Sequence, residues 1–558
     1  MKHTISRPFW KNPWIIIIIV LSILGILTGV YGFLEKPETR SDALYDTFQL
    51  FIMHHTFEET PECLVNISRW IIFIVIILLS REALLLIIPE QLKLLKIRLF
   101  YHDHIIICGL TEESLYLANE LFDKNPKERM IFVDNVLDNP LYRSLRNRKV
   151  QLIIGDPYSR RVLKLAKICK AKEVFVFTGS DTLNVDIAQA IFSVLESKDR
   201  TGALRCFVSI ADRELKILLE ETSLFKYKTP KFDGILFNVN EMGIKYGICM
   251  NIDKILPEKI ETVPEILLVG LTEKTEIALL NLAHCLTMQR EMFRFTIVEK
   301  DETIINFFRK KYRYLEDFAA IEFVGEIENV YPEKLFDSIL ICIENQTEAI
   351  KQAISIRYLL GKNEPNILVF CDEPNTFNNV LNVEGKLNDK GEKEIFPLKD
   401  RKIFLINLFE EIAGYVFILD KSIEEKAKMA HDFWNKLYKE NKKYDEMSGH
   451  FRQTNRNQIL DNFLRTFIAL GKPFNVAQEH LVSFADNDKE TLAMMEHRRW
   501  MIEKYENGWR PGERIKPDEF KRHDCLKQLD ELPEIQKGKD FDAIDLMIHL
   551  LNNQKNEN

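Results

Sequence analysis

From about residue 104 onward, short apolar runs alternate with amphipathic stretches. Runs at 104–108, 130–134, 150–154, 173–178 and 205–210 are followed by a second series at 265–270, 293–299, 320–324, 337–343 and 366–371. Apolar runs of this length, separated by segments of helical period, predict buried strands of a parallel sheet with helices on both faces. Both series open on one turn: Gly109-Leu110-Thr111-Glu112 returns as Gly270-Leu271-Thr272-Glu273. The chain therefore reads as tandem doubly wound domains, one over 101–258 and one over 259–417. Past residue 418 the alternation stops. The stretch "DKSIEEKAKMAHDFWNKLYKENKKYDE" is charged and helical in period, so 418–558 reads as a mainly α-helical domain. Its charge run at 421–445 reads as a solvated helix face before it reads as a binding patch.

The first hundred residues follow a different pattern and read as a transmembrane region, with helices at about 14–34 and 63–88. Trp14 to Leu34 runs for about 21 residues without a charge, long enough to cross a bilayer as a helix. Trp10, Trp14 and Tyr31 suit the two interfaces. The segment has no convincing cleavage site, so it reads as a retained helix rather than a signal peptide. The second apolar segment carries Asn66 and Arg69 early and is interrupted by Arg81 and Glu82. One span, Cys63 to Ser80, leaves Arg81 at the interface. The other, Trp70 to Ile88, buries the Arg81/Glu82 pair. The first is preferred, because snorkelling accommodates Arg81 at little cost. Basic residues before the first helix (Lys2, Arg7, Lys11) and after the second (Lys93, Lys96, Arg98) place both ends in the cytoplasm. Between the helices, "DALYDTFQLFIMHHTFEE" predicts an interfacial or re-entrant helix. Glu58, Glu59 and Glu62 either ring a cation pathway or are solvated loop acids.

Composition narrows the function classes. A net charge of −8 and a pI near 6.0 give no basic field for nucleic acid. The 9 cysteines form no C-x-x-C, and several lie in apolar strand-like runs, so neither a disulfide framework nor a metal site is expected. The chain lacks G-x-S-x-G, H-E-x-x-H, a Walker lysine loop and paired catalytic carboxylates, which argues against an enzyme and leaves no catalytic residue to name.

The repeated turn is the first part of a Rossmann-like fold that could hold a ligand. A dinucleotide cradle needs G-x-G-x-x-G, and only Gly109 and Gly270 survive of it. Thr111 brings a β-branched side chain to a position where phosphate needs open backbone, and acids follow it. The same residues suit a helix start, with Thr as cap and acids in the first turn. Capped helix start and phosphate cradle both remain open, in that order. Asp134 and Glu299 end their second strands, where either a ribose-binding acid or a solvated strand end would stand.

The segment from His104 to about Glu196 resembles the RCK domain (regulator of K⁺ conductance, TrkA-N-like). The residues that carry this resemblance are "HIIICGL", "FVD" at 132–134, the run from Gly155-Asp156 to Asn184, and "FVSI" at 207–210. A fainter second copy over 265–371 shows Glu299, Gly325-Glu326 and "ILICIENQTE". Two membrane helices followed by such domains are similar to a two-helix ligand-gated channel, and that resemblance implies a homo-oligomer, with a tetramer as its natural form. The candidate nucleotide contacts of the Rossmann-like reading are Gly109, Thr111, Asp134, Asp156, Gly270 and Glu299. Ser41 to Ser68 contains no glycine, so a T-V-G-Y-G-type filter is absent and potassium selectivity does not carry over. The C-terminal region resembles the RyR domain (ryanodine receptor repeat) through "MAHDFWNKLY", "TNRNQ", "LAMMEHRRWMIEKYENGWRPGE" and "RHDCLKQLDEL". That family is associated with ligand sensing. Trp434, Asn455, Arg456, Glu496, His497, Arg499, Trp500 and Trp509 suit an anionic, stackable ligand, or alternatively a helical core with buried Trp and locally paired Glu496. The expectation is an inner-membrane, multi-pass protein with cytoplasmic domains that sense a small nucleotide-like ligand. It would gate a pore or act as a membrane effector, also suited to antiviral defence. The alternative is a tethered sensor or scaffold without conduction. No cofactor is required beyond such a ligand.

Overall fold

The computed structural model describes residues 13–35, 39–52, 63–136, 141, 150–198, 200–329, 331, 333–360, 365–372, 402–410, 422–439, 443–447, 449–474, 482–513 and 520–553. It falls into two compact units, 1–101 and 102–558.

The first unit is three helices: α1 (Pro13–Leu34), α2 (Arg40–Ile52) and α3 (Cys63–Phe100). Ile16–Leu34 and Cys63–Arg81 are each long and apolar enough to cross a membrane. The second of these stretches coincides with the shorter of the two spans weighed above. The helix itself runs on to Phe100, through a Leu-, Lys- and Arg-rich stretch of good helix formers. Arg69 and Arg81 have exposed side chains on α3, whereas Glu58, Glu59 and Glu62 lie outside the described residues. The helices pack through small residues on α1. A Cβ on Gly29 would come within 2.8 Å of Thr47 and Ser68, and one on Gly32 within 2.8 Å of Val65. Beside them Ser68 Oγ donates to the Gly25 carbonyl at 2.7 Å, a bond that needs the close approach small residues give.

The second unit contains two six-stranded, wholly parallel sheets. The first comprises β1 (His104–Cys108), β2 (Met130–Asp134), β3 (Val150–Ile154), β4 (Ala171–Val176), β5 (Leu204–Ser209) and β6 (Phe232–Phe237), in the order β3-β2-β1-β4-β5-β6. The second comprises β7 (Glu265–Val269), β8 (Arg294–Val298), β9 (Ala320–Val324), β10 (Ser338–Ile341), β11 (Asn366–Cys371) and β12 (Ile403–Asn407), and repeats that order from β9 to β12. Ile105, Ile106 and Ile107 are fully buried, as expected for a central strand covered on both faces. Each sheet has one strand more than the apolar runs marked. In β6 the pattern is broken by Asp233, which is buried because Arg452, far along the chain, pairs with it at 2.8 and 3.1 Å. No local rule predicts such a strand.

After each first strand come α4 (Glu112–Lys124) and its counterpart α6 (Glu273–Leu282). Between the sheets runs α5 (Val239–Met250). Its Gly243 and Gly247 face the second lobe so closely that a Cβ would meet Leu408 at 2.6 Å or Ile406 at 2.9 Å. The helical region contributes α7 (Ser422–Tyr438), α8 (Gly449–Leu470), α9 (Asp486–Glu506) and α10 (Glu534–Asn553). Its apolar faces join those of both lobes in one continuous core, from Ile105 through Ile266 to Leu551. All nine cysteines are free.

Candidate ligand-binding cleft

The two Rossmann turns are self-satisfied. Gly109 takes φ +94°, and a Cβ there would lie 2.1 Å from the Phe177 carbonyl oxygen, so the glycine serves the crossing of β1 and β4. Thr111 caps α4: its Oγ accepts from Ser114 N at 3.2 Å while Ser114 Oγ accepts from Thr111 N at 2.9 Å. The Asp134 carboxylate accepts from Leu110 N at 2.6 Å and Val136 N at 2.7 Å. An amide that a phosphate would use is therefore already bound to an acid. Glu299 repeats the arrangement, accepting from Leu271 N at 3.4 Å, Lys300 N at 2.8 Å and Asp301 N at 3.0 Å. Gly270 keeps φ +84°, and Asp156 is exposed in the turn after β3. A crevice of about 270 Å³ lies at the C-terminal ends of the first sheet, as doubly wound folds lead one to expect. Its lining includes three acids: Glu113, Asp181, which accepts from Ala211 N and Asp212 N, and Asp372, which pairs with Lys274 at 2.6 Å.

The helical region offers a different chemistry. A cleft of about 370 Å³ opens between α7, α8, α9, the segment around His523 and α10. Every residue predicted for this site except Arg456 lines it: Trp434, Asn455, Glu496, His497, Arg499, Trp500 and Trp509. Helical spacing does this on α9, where Glu496, His497, Arg499, Trp500 and Lys504 lie within about two turns. Trp434, Trp500 and Trp509 are half-buried, so their ring faces are partly open to the cleft. His497 stacks on Trp500 with ring centroids 5.6 Å apart, and Lys504 Nζ lies 4.8 Å from the Trp509 centroid and 5.9 Å from that of Trp500. Both ring nitrogens of His497 face acceptors: Nδ1 is 3.1 Å from the Asp540 carboxylate and Nε2 is 2.9 Å from the Lys527 carbonyl. Burial alone would lower its pKa, but these acceptors raise it above the usual imidazole value, favouring imidazolium. The wall is thus aromatic and cationic, with Asp540 committed to His497.

Glu496 is also committed. It takes two hydrogen bonds from Arg499, at 2.9 and 2.8 Å, and pairs with the fully buried Arg465. Arg465 in turn pairs with Asp461 at 2.7 Å, and Asp461 with His284 of the second lobe. Burial would raise the Asp461 carboxyl, but His284 and Arg465 hold it at about 2. A buried chain of charges therefore runs from the cleft wall into the second lobe. The opposite side of α9 carries Arg498, which donates to the carbonyls of Ala283 and His284 just past α6, at 3.0 and 3.1 Å, and to those of Asp317 and Phe318. Burial lowers its pKa to about 10, against the weaker pull of Asp317. These bonds satisfy helix-end carbonyls that would otherwise lack a donor. Glu506, at the end of α9, pairs with Arg213 of the first lobe.

Arg456 is not part of this cleft. Its guanidinium donates to Glu424 at 2.6 Å and Gln453 at 3.1 Å and is buried, tying α8 to α7. Phe451, Lys504, His523, Lys539 and Asp540 line the cleft but were not singled out from the sequence. Lys504 was accessible to that reading, since it lies four residues after Trp500 on one helix face. Lys539 and Asp540 arrive from α10 and carry no local signal.

Residues 105–224 match the TrkA-N domain family, and residues 471–554 match the RyR domain family. The first match lies on the first sheet, and the second lies in the helical region. The second lobe repeats the topology of the first. No curated protein sequence matches the chain. Solved structures similar to it include GsuK bound to ADP (14% identity, 74% of this chain and 97% of that one, TM-score 0.38). The GsuK channel bound to NAD is another (12% identity, 74% and 83%, TM-score 0.38). A third is the human SLO3 gating ring (9% identity, 58% and 84%, TM-score 0.39).

Proposed function

We propose that the chain is a membrane protein whose RyR domain senses a small nucleotide-like ligand and, through the two lobes, gates a pore built from its apolar helices. The observation that carries this reading is the double role of α9. One side lines the aromatic, cationic cleft, while Arg498, Tyr505 and Glu506 on the same helix engage both lobes. Occupancy of the cleft thus bears directly on the lobes. The chain acts as a sensor and effector rather than an enzyme. It works as a homo-oligomer, a tetramer in its simplest form, because two spans per subunit do not enclose a pore alone. The membrane is the inner membrane, the soluble domains are cytoplasmic, and such a device suits antiviral defence by depolarisation. A second reading, a tethered sensor without conduction, is favoured by one observation. The aliphatic hydroxyls of Ser22 and Thr28 on α1 are bonded to carbonyls of their own helix at 2.8 Å.

Ion flux from liposomes holding the full-length protein, with nucleotides added one at a time, tests the proposal. Flux should appear with one ligand and vanish in Trp500→Ala, while the oligomer persists. A stable oligomer that binds ligand yet passes no ion under any condition supports the scaffold reading instead.

A further inference from the structure

Resting on the reading of this cleft as the ligand site, we propose that it takes a dinucleotide, two bases joined through phosphate, in preference to a mononucleotide. Two aromatic–cation stations stand in the one cleft. At the first, Trp500 and Trp509 share the ammonium of Lys504, and His523 sits edge-on to both indoles at 5.0 and 6.0 Å. At the second, Trp434 and Lys539 line the cleft, with Tyr438 behind them: Trp434 stacks on Tyr438 at 5.6 Å and 22°, and Lys539 Nζ stands 6.0 Å from the Tyr438 centroid. The His497–Asp540 pair joins them, with His497 stacked on Trp500 and Asp540 adjacent to Lys539.

An ammonium held at an aromatic cluster, over the indoles at the first station and over the Tyr438 ring stacked on Trp434 at the second, marks a place where a base can stack, while the displaced lysine moves to the phosphate beside it. One nucleotide has one base and one phosphate group, so it satisfies one station and leaves the other lysine over its ring. Two linked nucleotides satisfy both. The amides of Asn455 and Gln536 stand along the lining to read base edges. Both carboxylates of the lining, Glu496 and Asp540, are already bound to cations, so they repel a second phosphate little. The linkage between the nucleotides, linear or cyclic, is left to the measurement.

Calorimetry on the full-length protein in detergent, with AMP, ADP, NAD and cyclic di-AMP as probes, tests the assignment. One of the dinucleotides should bind at least about tenfold tighter than AMP or ADP, and which one does so identifies the linkage. Lys539 is an exposed residue on α10, so Lys539→Ala should fold normally. It should remove the dinucleotide advantage, bringing NAD and cyclic di-AMP down to the affinity of AMP, whereas Lys504→Ala should weaken every probe. If AMP binds as tightly as both dinucleotides, the two-station assignment is wrong and the cleft remains the ligand site. If no nucleotide binds, or binding ignores both lysine substitutions, the cleft reading itself falls.

Discussion

Gly109 and Gly270 occupy equivalent turns with similar φ, +94° and +84°, yet their surroundings differ. A Cβ at 109 would strike a backbone carbonyl at 2.1 Å, while at 270 the nearest atom is Ile343 Cγ1 at 3.1 Å, on a side chain that can move. Gly109→Ala should therefore cost roughly 3–5 kcal/mol, as a backbone clash with no relief. Gly270→Ala should cost only about 1–2 kcal/mol, the ordinary penalty of a left-handed alanine. Thermal or denaturant unfolding of the two variants measures the difference, and equal losses would contradict it. His497 gives a pH signature. Its pKa is raised above 6.5 in the folded chain, so its contribution is fully present below 6.5 and is lost as pH rises through the folded value. The melting temperature should fall across that window in the native protein but not in His497→Gln. Parallel profiles would show that the imidazolium contributes nothing.

At the scale of elements, α9 joins the cleft to the lobes, and Arg498 is where the two functions separate. Replacing it with Met leaves the carbonyls beyond α6 without their donor and should cost roughly 3 kcal/mol. Because Arg498 does not line the cleft, ligand affinity in Arg498→Met should stay within about threefold of native. Hydrogen exchange over residues 283–318 should rise, and ligand should no longer protect that segment. Continued protection would mean the lobes receive the signal by another route, such as the Glu496–Arg465–Asp461–His284 chain. The same helix shows what could be read in the chain itself. Glu496, His497, Arg499 and Trp500 were legible because they share one periodic segment. That Glu496 points to Arg465 and Arg456 to Glu424 was not, since both pairings depend on how helices cross. The strand series was legible for a related reason: buried parallel strands are continuous apolar runs, whereas β6 hides behind an aspartate whose partner lies 219 residues on.

At the scale of the molecule, one apolar core runs through both lobes and the helical region, with a second cluster on the other face of the second sheet, and a buried ion pair joins the first lobe to α8. Arg452 and Asp233 are 3% and 4% exposed, so neither charge can turn to water when its partner is lost. Removing one partner of such a pair typically costs roughly 3–5 kcal/mol. A helical domain merely tethered to the lobes would melt separately and leave them intact. With one core it cannot, because uncovering α5, β6 and the end of α6 exposes faces that the lobes do not cover themselves. Scanning calorimetry of the full-length protein in detergent should therefore show both lobes and the helical region unfolding in one transition. Asp233→Ala should shift that transition as a whole, and a saturating ligand, by adding RT ln(1 + [L]/Kd) to the unfolding free energy, should raise it without splitting it. Two transitions, with only the lower one moved by ligand, would mean that the cleft is not mechanically continuous with the lobes. In that case the coupling on which gating depends would have to be sought outside this core.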